Sequence, residues 1–145
     1  MSCAKASQCP QDDLPEIAFA GRSNSGKSTA LNTLCGQKSL ARVSKTPGRT
    51  QLLNLFELPG RARLVDLPGY GFAKVPHAVR DQWGKMVGGY IQSRANLRGL
   101  VVIMDCRHPL TAHDQQMLSW VGGAGLPCQI LLSNIEAITA LTHYL

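Results

Sequence analysis

Apolar positions along the chain fall into short runs separated by glycine, proline and polar breaks. Glu16-Ile17-Ala18-Phe19-Ala20 is almost continuously apolar and stops at Gly21, the pattern of a strand buried on both faces of a parallel sheet. Lys27 to Cys35 then predicts a helix, with Ala30, Leu31 and Leu34 on one face and Gly36 as its stop. Thr50 to Leu58 and Arg61 to Asp66 flank the turn signal Pro59-Gly60 and predict an antiparallel hairpin. Pro76 is placed to open a helix running to about Arg94. Leu100-Val101-Val102-Ile103-Met104, bounded by Gly99 and Asp105, is the most strand-like run and predicts the central strand. Thr111 with Asp114 predicts the cap of a helix to about Val121, ended by Gly122-Gly123, and Cys128 to Leu132 predicts one more buried strand.

That order of strands and helices is α/β, with right-handed crossovers that place helices on both faces of a mostly parallel sheet and one antiparallel edge strand. Residues 1–15 show no periodicity and end in Asp12-Asp13-Leu14-Pro15, which predicts an exposed, flexible lead-in to a domain over 16–132. Gln37 to Arg49 is polar and basic and contains Pro47-Gly48, a long loop of the kind that carries function. Trp83 with Met86, and Met117 with Leu118 and Val121, lie at helical spacing and are expected to pack in the core.

Composition narrows the class. With 145 residues, 44% apolar and 17% charged, the chain suits one globular domain and not a disordered or collagen-like one. No apolar run has the roughly 20 residues of a membrane helix, and Met1 to Pro15 lack the centre of a secretory signal, so a cytoplasmic protein with no membrane partner is expected. The five cysteines, Cys3, Cys9, Cys35, Cys106 and Cys128, are odd in number and contain no C-x-x-C pair, which argues for scattered reduced thiols. His77, His108, His113 and His143 show no metal-ligand spacing. A net charge of +6 favours polyanionic partners without naming one.

The chemistry concentrates in one octapeptide. Gly21-Arg22-Ser23-Asn24-Ser25-Gly26-Lys27-Ser28 satisfies G-x-x-x-x-G-K-[ST] between a predicted strand and a predicted helix. Glycines let successive N–H groups converge on an anion, and the helix N-terminus adds its partial positive charge. In this arrangement Lys27 serves the β- and γ-phosphates, and the Ser28 hydroxyl can ligate a bridging Mg2+. Asp66-Leu67-Pro68-Gly69 ends the second hairpin strand, where Asp66 can hold the metal through water and the Gly69 N–H can meet the γ-phosphate. Thr50 is the candidate second hydroxyl ligand, with strand propensity as its alternative explanation.

Three runs in order, Glu16 to Ser28, Thr46-Pro47-Gly48-Arg49-Thr50-Gln51 and Asp66-Leu67-Pro68-Gly69-Tyr70-Gly71, closely resemble the EngB family of bacterial Ras-like GTPases, over roughly residues 8–132. The resemblance implies a P-loop NTPase fold of the Ras-like G-domain type, a monomer, GTP or GDP with Mg2+, a role in large ribosomal subunit assembly and a need in cell division and septation. It implies nucleotide contacts from Gly21 through Ser28, Gly48 through Gln51 and Asp66 through Gly69. Metal ligation falls to Ser28, Thr50 and Asp66, and catalysis to Lys27, Thr50 and Gly69. Asn24 becomes a candidate K+ ligand. Tyr70 stands where Ras-type enzymes carry a water-orienting glutamine, which implies slow hydrolysis dependent on an activator. Arg42, Lys45, Arg49, Arg61, Arg63 and Lys74 are expected to form a basic patch around the nucleotide-sensing segments, facing a ribosomal particle.

The pattern breaks after Leu132. The family reads guanine with [NT]-K-x-D directly after this strand, whereas Ser133-Asn134-Ile135-Glu136 stands here, without the lysine and with a longer acid. Residues 133–145 match nothing of the family's last strand and helix, which implies truncation or a frameshift. The alternative function is a product with weak or no nucleotide selectivity, acting at most as a basic ribosome-binding module.

Overall fold

In a computed structural model of the chain, the described residues are 1–22, 26–36, 51–70 and 77–133. Six strands form one sheet: β1 Ser2–Cys3, β2 Glu16–Gly21, β3 Leu53–Leu58, β4 Ala62–Asp66, β5 Leu97–Asp105 and β6 Cys128–Ser133. Three helices accompany them: α1 Lys27–Cys35, α2 His77–Ser93 and α3 Ala112–Gly123. The spatial order is β1-β3-β4-β2-β5-β6. Pairs β4–β2, β2–β5 and β5–β6 are parallel, while β3 pairs antiparallel with β4 and β1 with β3. The α/β reading therefore holds, with the antiparallel edge made of β3 and, outside it, the two-residue β1.

Side-chain alternation along β2 and β5 divides the core between the two faces. Ala18 and Ala20, with Leu100, Val102 and Met104, meet Trp83, Val87, Tyr90 and Ile91 of α2 and Met117 and Val121 of α3. Phe19 and Ile103, with Ile17 and Val101, face the other way and pack with Leu64 and Leu31 of α1. Runs with no polar position were legible as strands for this reason: both of their faces are covered.

Four sequence expectations need correction. Residues 1–15 are a docked strap. Cys3 and Cys9 are 2% exposed within the core, β1 pairs with β3, and the Asn96 side-chain amide donates to the carbonyls of Asp12 (2.7 Å) and Leu14 (3.0 Å). A two-residue strand and a single 3-10 turn at Ala6–Gln8 are too short to leave a periodic signal. Leu100 to Met104 lies inside β5, but β5 is second from the edge and β2 takes the middle, because both β4 and β5 pair with β2. Leu34 is 61% exposed; among the described side chains of α1, fully buried Leu31 and Ala30 are those that pack on the sheet, since so short a helix covers little of it. Arg63 is buried at 3%, bonded to Glu16 and Asp12 at the start of β4, and Arg61 sits in the preceding turn. Both lie at the opposite end of β4 from Asp66, so the expected basic patch does not include them.

Two of the signalled helix ends are present, whereas α3 runs on through Gly122 and Gly123 to a C-cap at Ala124, and Pro76 lies outside the described residues. Gly36, at φ 65°, closes α1 by donating to Asn32 and Thr33. Thr111 and Asp114 form a reciprocal capping box on α3, the Thr111 Oγ1 accepting from the Asp114 N–H at 3.3 Å and Asp114 Oδ2 from the Thr111 N–H at 3.0 Å. A fifth correction concerns Cys128 to Leu132, expected as a buried strand: β6 is the outer strand among the described residues, paired only with β5, and Ile130, Leu131 and Leu132 are 40–50% exposed. The described cysteines, Cys3, Cys9, Cys106 and Cys128, are free thiols. No helix among the described residues is long and apolar enough to cross a membrane.

Candidate functional site

The parallel register brings the sequence motifs together. Phe19 of β2 pairs with Asp66 of β4, so both strands end at the same rim of the sheet, where β2 leads into α1 and β4 into Leu67-Pro68-Gly69. Gly26 stands at the N-cap of α1 with φ 94°, a left-handed conformation that side chains rarely adopt, and its carbonyl accepts from the Ala30 N–H at 3.0 Å. A Cβ there would also meet the Ser133 Cβ at 3.3 Å. Glycine thus lets the last turn of β6 approach the start of α1. Among the described residues no side chain caps α1, so the helix N-terminus keeps its partial positive charge at this rim.

Lys27 is the bridge. Its ammonium donates to the Asp66 carboxylate and to the Leu67 carbonyl, the latter at 2.7 Å. The two side chains are 12% and 8% exposed. Asp66, at the end of β4, accordingly lies next to Lys27, the lysine of the G-x-x-x-x-G-K-[ST] motif. An ammonium, a helix N-terminus, the Ser28 hydroxyl and the Asp66 carboxylate form a donor set that fits a phosphate chain with Mg2+.

Pro68 to Tyr70 is anchored from its other side by residues the sequence reading assigned to packing or to a cap. The Trp83 indole donates to the Pro68 carbonyl at 2.8 Å, and the Tyr70 hydroxyl donates to Asp114 at the start of α3. Tyr70 is 4% exposed, stacks on His113 with ring centroids 5.4 Å apart and meets Trp83 edge-on at 5.3 Å. Burial, with the Asp114 carboxylate beside it, pushes the Tyr70 phenol far up, so it stays protonated and donating. An aromatic at helical spacing signals packing, and nothing in that spacing marks its polar tip.

Gly21, Arg22, Gln51 and Leu67 are also described, and Arg22 forms an isolated bridge with Tyr70. Ser23, Asn24, Ser25, Gly48, Arg49 and Thr50 lie outside the described residues, as do Arg42, Lys45, Lys74 and residues 134–145.

Comparison with known proteins follows the same motifs. The family described as 50S ribosome-binding GTPase matches residues 16–134. The chain is 57% identical over 131 residues to the “Probable GTP-binding protein EngB” of Yersinia enterocolitica, covering 90% of this chain and 60% of the relative. The protein of the same name from Mannheimia succiniciproducens is 55% identical over 138 residues, with 95% and 67% covered. The chain thus spans about 60 to 67% of the length of these relatives. Among solved structures, a GTP-binding protein engB is similar at TM-score 0.68 and 26% identity, over 84% of this chain and 72% of that one. Era in complex with MgGDPNP and a 16S ribosomal RNA segment shares the fold alone, at TM-score 0.56 and 22% identity over 86% and 41%. The chain belongs to the 50S ribosome-binding GTPase family and, within it, to the EngB proteins.

Proposed function

We propose that this chain carries the phosphate-gripping part of a GTP-binding switch that serves assembly of the large ribosomal subunit and, through it, cell division. One observation supports the reading above the others: Lys27, at the start of α1, meets Asp66 and the Leu67 carbonyl at the shared rim of β2 and β4. An anion arriving at the α1 N-terminus competes with Asp66 for the Lys27 ammonium. Lys27 then leans on the phosphates, and Asp66 is freed to accept hydrogen bonds from water. Bound Mg2+, held by Ser28 and Asp66 with Thr50 as a further hydroxyl ligand, would supply charge neutralisation for phosphoryl transfer. The Gly69 N–H reports the γ-phosphate, and its movement reaches α2 and α3 through Pro68, Trp83, Tyr70 and Asp114.

Tyr70 is turned into the protein and tied to Asp114, so it does not orient attacking water; hydrolysis on this chain is slow and depends on an activator. A K+ ion at Asn24 belongs to the same proposal, checked by comparing hydrolysis rates in K+ and Na+. Titration of GDP with Mg2+ tests the grip: Lys27→Ala is expected to lower affinity at least about 100-fold, as loss of a charge-assisted phosphate contact would. Unchanged affinity overturns the assignment.

A second reading concerns selectivity. Ser133, next to Gly26, opens the register where the family reads guanine, and the sequence that follows it lacks the lysine. The chain then holds nucleotides mainly by their phosphates, and GTP and ATP bind weakly and alike. Sub-micromolar GTP affinity with strong rejection of ATP overturns this second reading.

A further inference from the structure

Gly69 and Tyr70, with residues from the N-terminal half of α2 and the start of α3, line a cavity of about 800 Å3. Its aromatic wall is Tyr70, Trp83 and His113, held together by ring contacts at 5.3, 5.4 and 5.9 Å. Gly84 keeps the α2 wall low; a Cβ there would meet nothing within 4 Å. Cations dominate the charged lining among the described residues, with Arg22, Arg80 and Lys85 against the carboxylate of Asp81. Gln51 also lines the cavity, and its Oε1 is buried without a hydrogen-bond partner. An orphaned buried acceptor has lost its hydrogen bonds to water without replacement, a penalty that a ligand's N–H would relieve. Flat aromatic wall, cationic rim and unpaired acceptor together describe one ligand chemistry.

We propose that this cavity is a second ligand site, for a planar aromatic anion bearing an N–H donor, and that it is coupled to the Lys27 site through the Asp66-to-Tyr70 segment. That segment is gripped from two sides. Lys27 holds Asp66 and Leu67 from the α1 side, whereas Trp83 holds Pro68 and Asp114 holds Tyr70 from the cavity side. A ligand pressed on Trp83 and Tyr70 and an anion drawing Lys27 from Asp66 therefore act on the same five residues, and each alters the affinity of the other by the same factor. The coupling rests on the proposed phosphate site; the cavity's own binding does not, although Arg22, Gln51 and Gly69, which the family resemblance gives to the nucleotide, also line it.

Indole-3-carboxylate is the probe, with benzofuran-3-carboxylate as its twin lacking the N–H, and the Trp83 indole resonance of isotope-labelled protein is the readout. The indole is expected to bind with a dissociation constant on the order of a millimolar, reasonable for about a dozen heavy atoms. The benzofuran should bind about fivefold more weakly, and that difference should vanish in Gln51→Leu. Charge reversal by Arg80→Glu with Lys85→Glu should weaken the indole about tenfold with an unchanged melting midpoint. Absence of binding, or binding indifferent to both the rim reversal and the N–H, overturns the site. Saturating GDP with Mg2+ should change the indole affinity at least about threefold; no change overturns the coupling. If GDP itself fails to bind while the indole binds as described, the phosphate-site reading fails and the cavity stands.

Discussion

Opposite ends of the same two strands hold carboxylates facing cations, and the two arrangements do opposite things. At the N-terminal end of β2, Glu16 is fully buried and accepts from Arg63 (2.6 Å), from Arg94 through two nitrogens (2.9 and 2.7 Å) and from the Tyr90 hydroxyl (2.8 Å). Every lone-pair direction of that carboxylate is used, and its donors come from β4, α2 and the turn that follows α2. Arg94 also donates to Pro10 and Arg63 to Asp12, which pins the N-terminal strap. At the C-terminal end, Asp66 faces one flexible ammonium whose other partner is a carbonyl, in a partly open position. A saturated network fixes structure, whereas a two-member contact at a helix N-terminus can be traded for an anion. Burial without spare bonding capacity marks the scaffold; burial with an exchangeable partner marks the site.

The comparison breaks most readily at Glu16. Glu16→Gln keeps the shape but leaves the buried Arg94 guanidinium without its countercharge and Arg63 with Asp12 alone, and a loss of about 3–5 kcal/mol is expected, measured by urea unfolding. Lys27→Ala should cost only about 1–2 kcal/mol in the same assay, because Asp66 can recruit water at the open rim, while nucleotide binding is lost. Equal destabilisation by the two substitutions would remove the distinction between scaffold and site. Tyr70→Phe deletes one buried hydroxyl contact and should cost about 1 kcal/mol, since Asp114 keeps its bond to the Thr111 N–H.

Acid sharpens the same contrast. Burial alone would raise the Glu16 carboxyl, but hydrogen bonds from Arg94, Tyr90 and Arg63 outweigh it and hold the group below its ordinary value of 4.5. The unfolded chain therefore takes up the proton first. Glu16's contribution is complete above about pH 4.5 and is lost as pH falls through its lower folded value. The wild-type unfolding free energy should decline on that limb, and Glu16→Gln should flatten it. The smallest effect is expected at Asp105, which hydrogen bonds from the Arg107 side chain and backbone bring down to about 2 on the surface. Asp105→Asn should leave the limb above pH 4 in place, because an exposed pair is screened by solvent.

The strands were legible because β2 and β5 are covered on both faces and so carry unbroken apolar runs, and α3 because Thr111 and Asp114 write its cap into the sequence. The N-terminal strap was illegible for the opposite reason. Its contacts run from Met1 to Leu55 and from Asp12 to Arg63 and Asn96, partners some 50 to 80 residues away that no local pattern encodes. Arg63 shows the same failure from the other side: in sequence it is one more basic residue near a motif, and in the structure it is half of a buried ion pair.

By itself, the order of residues marked the phosphate-loop motif and singled out Lys27, Ser28 and Asp66 as candidates, since glycine spacing and the ends of apolar runs are local properties of the backbone. It also determined the family. Only the tertiary structure decided that Asp66 and Lys27 touch, that Trp83 and Asp114 hold the following turn, and that an aromatic cavity opens behind it. Those relations depend on the parallel register of β2 with β4 and on where α2 and α3 cross the sheet, and hydrogen-bond geometry between distant segments leaves no period in the chain.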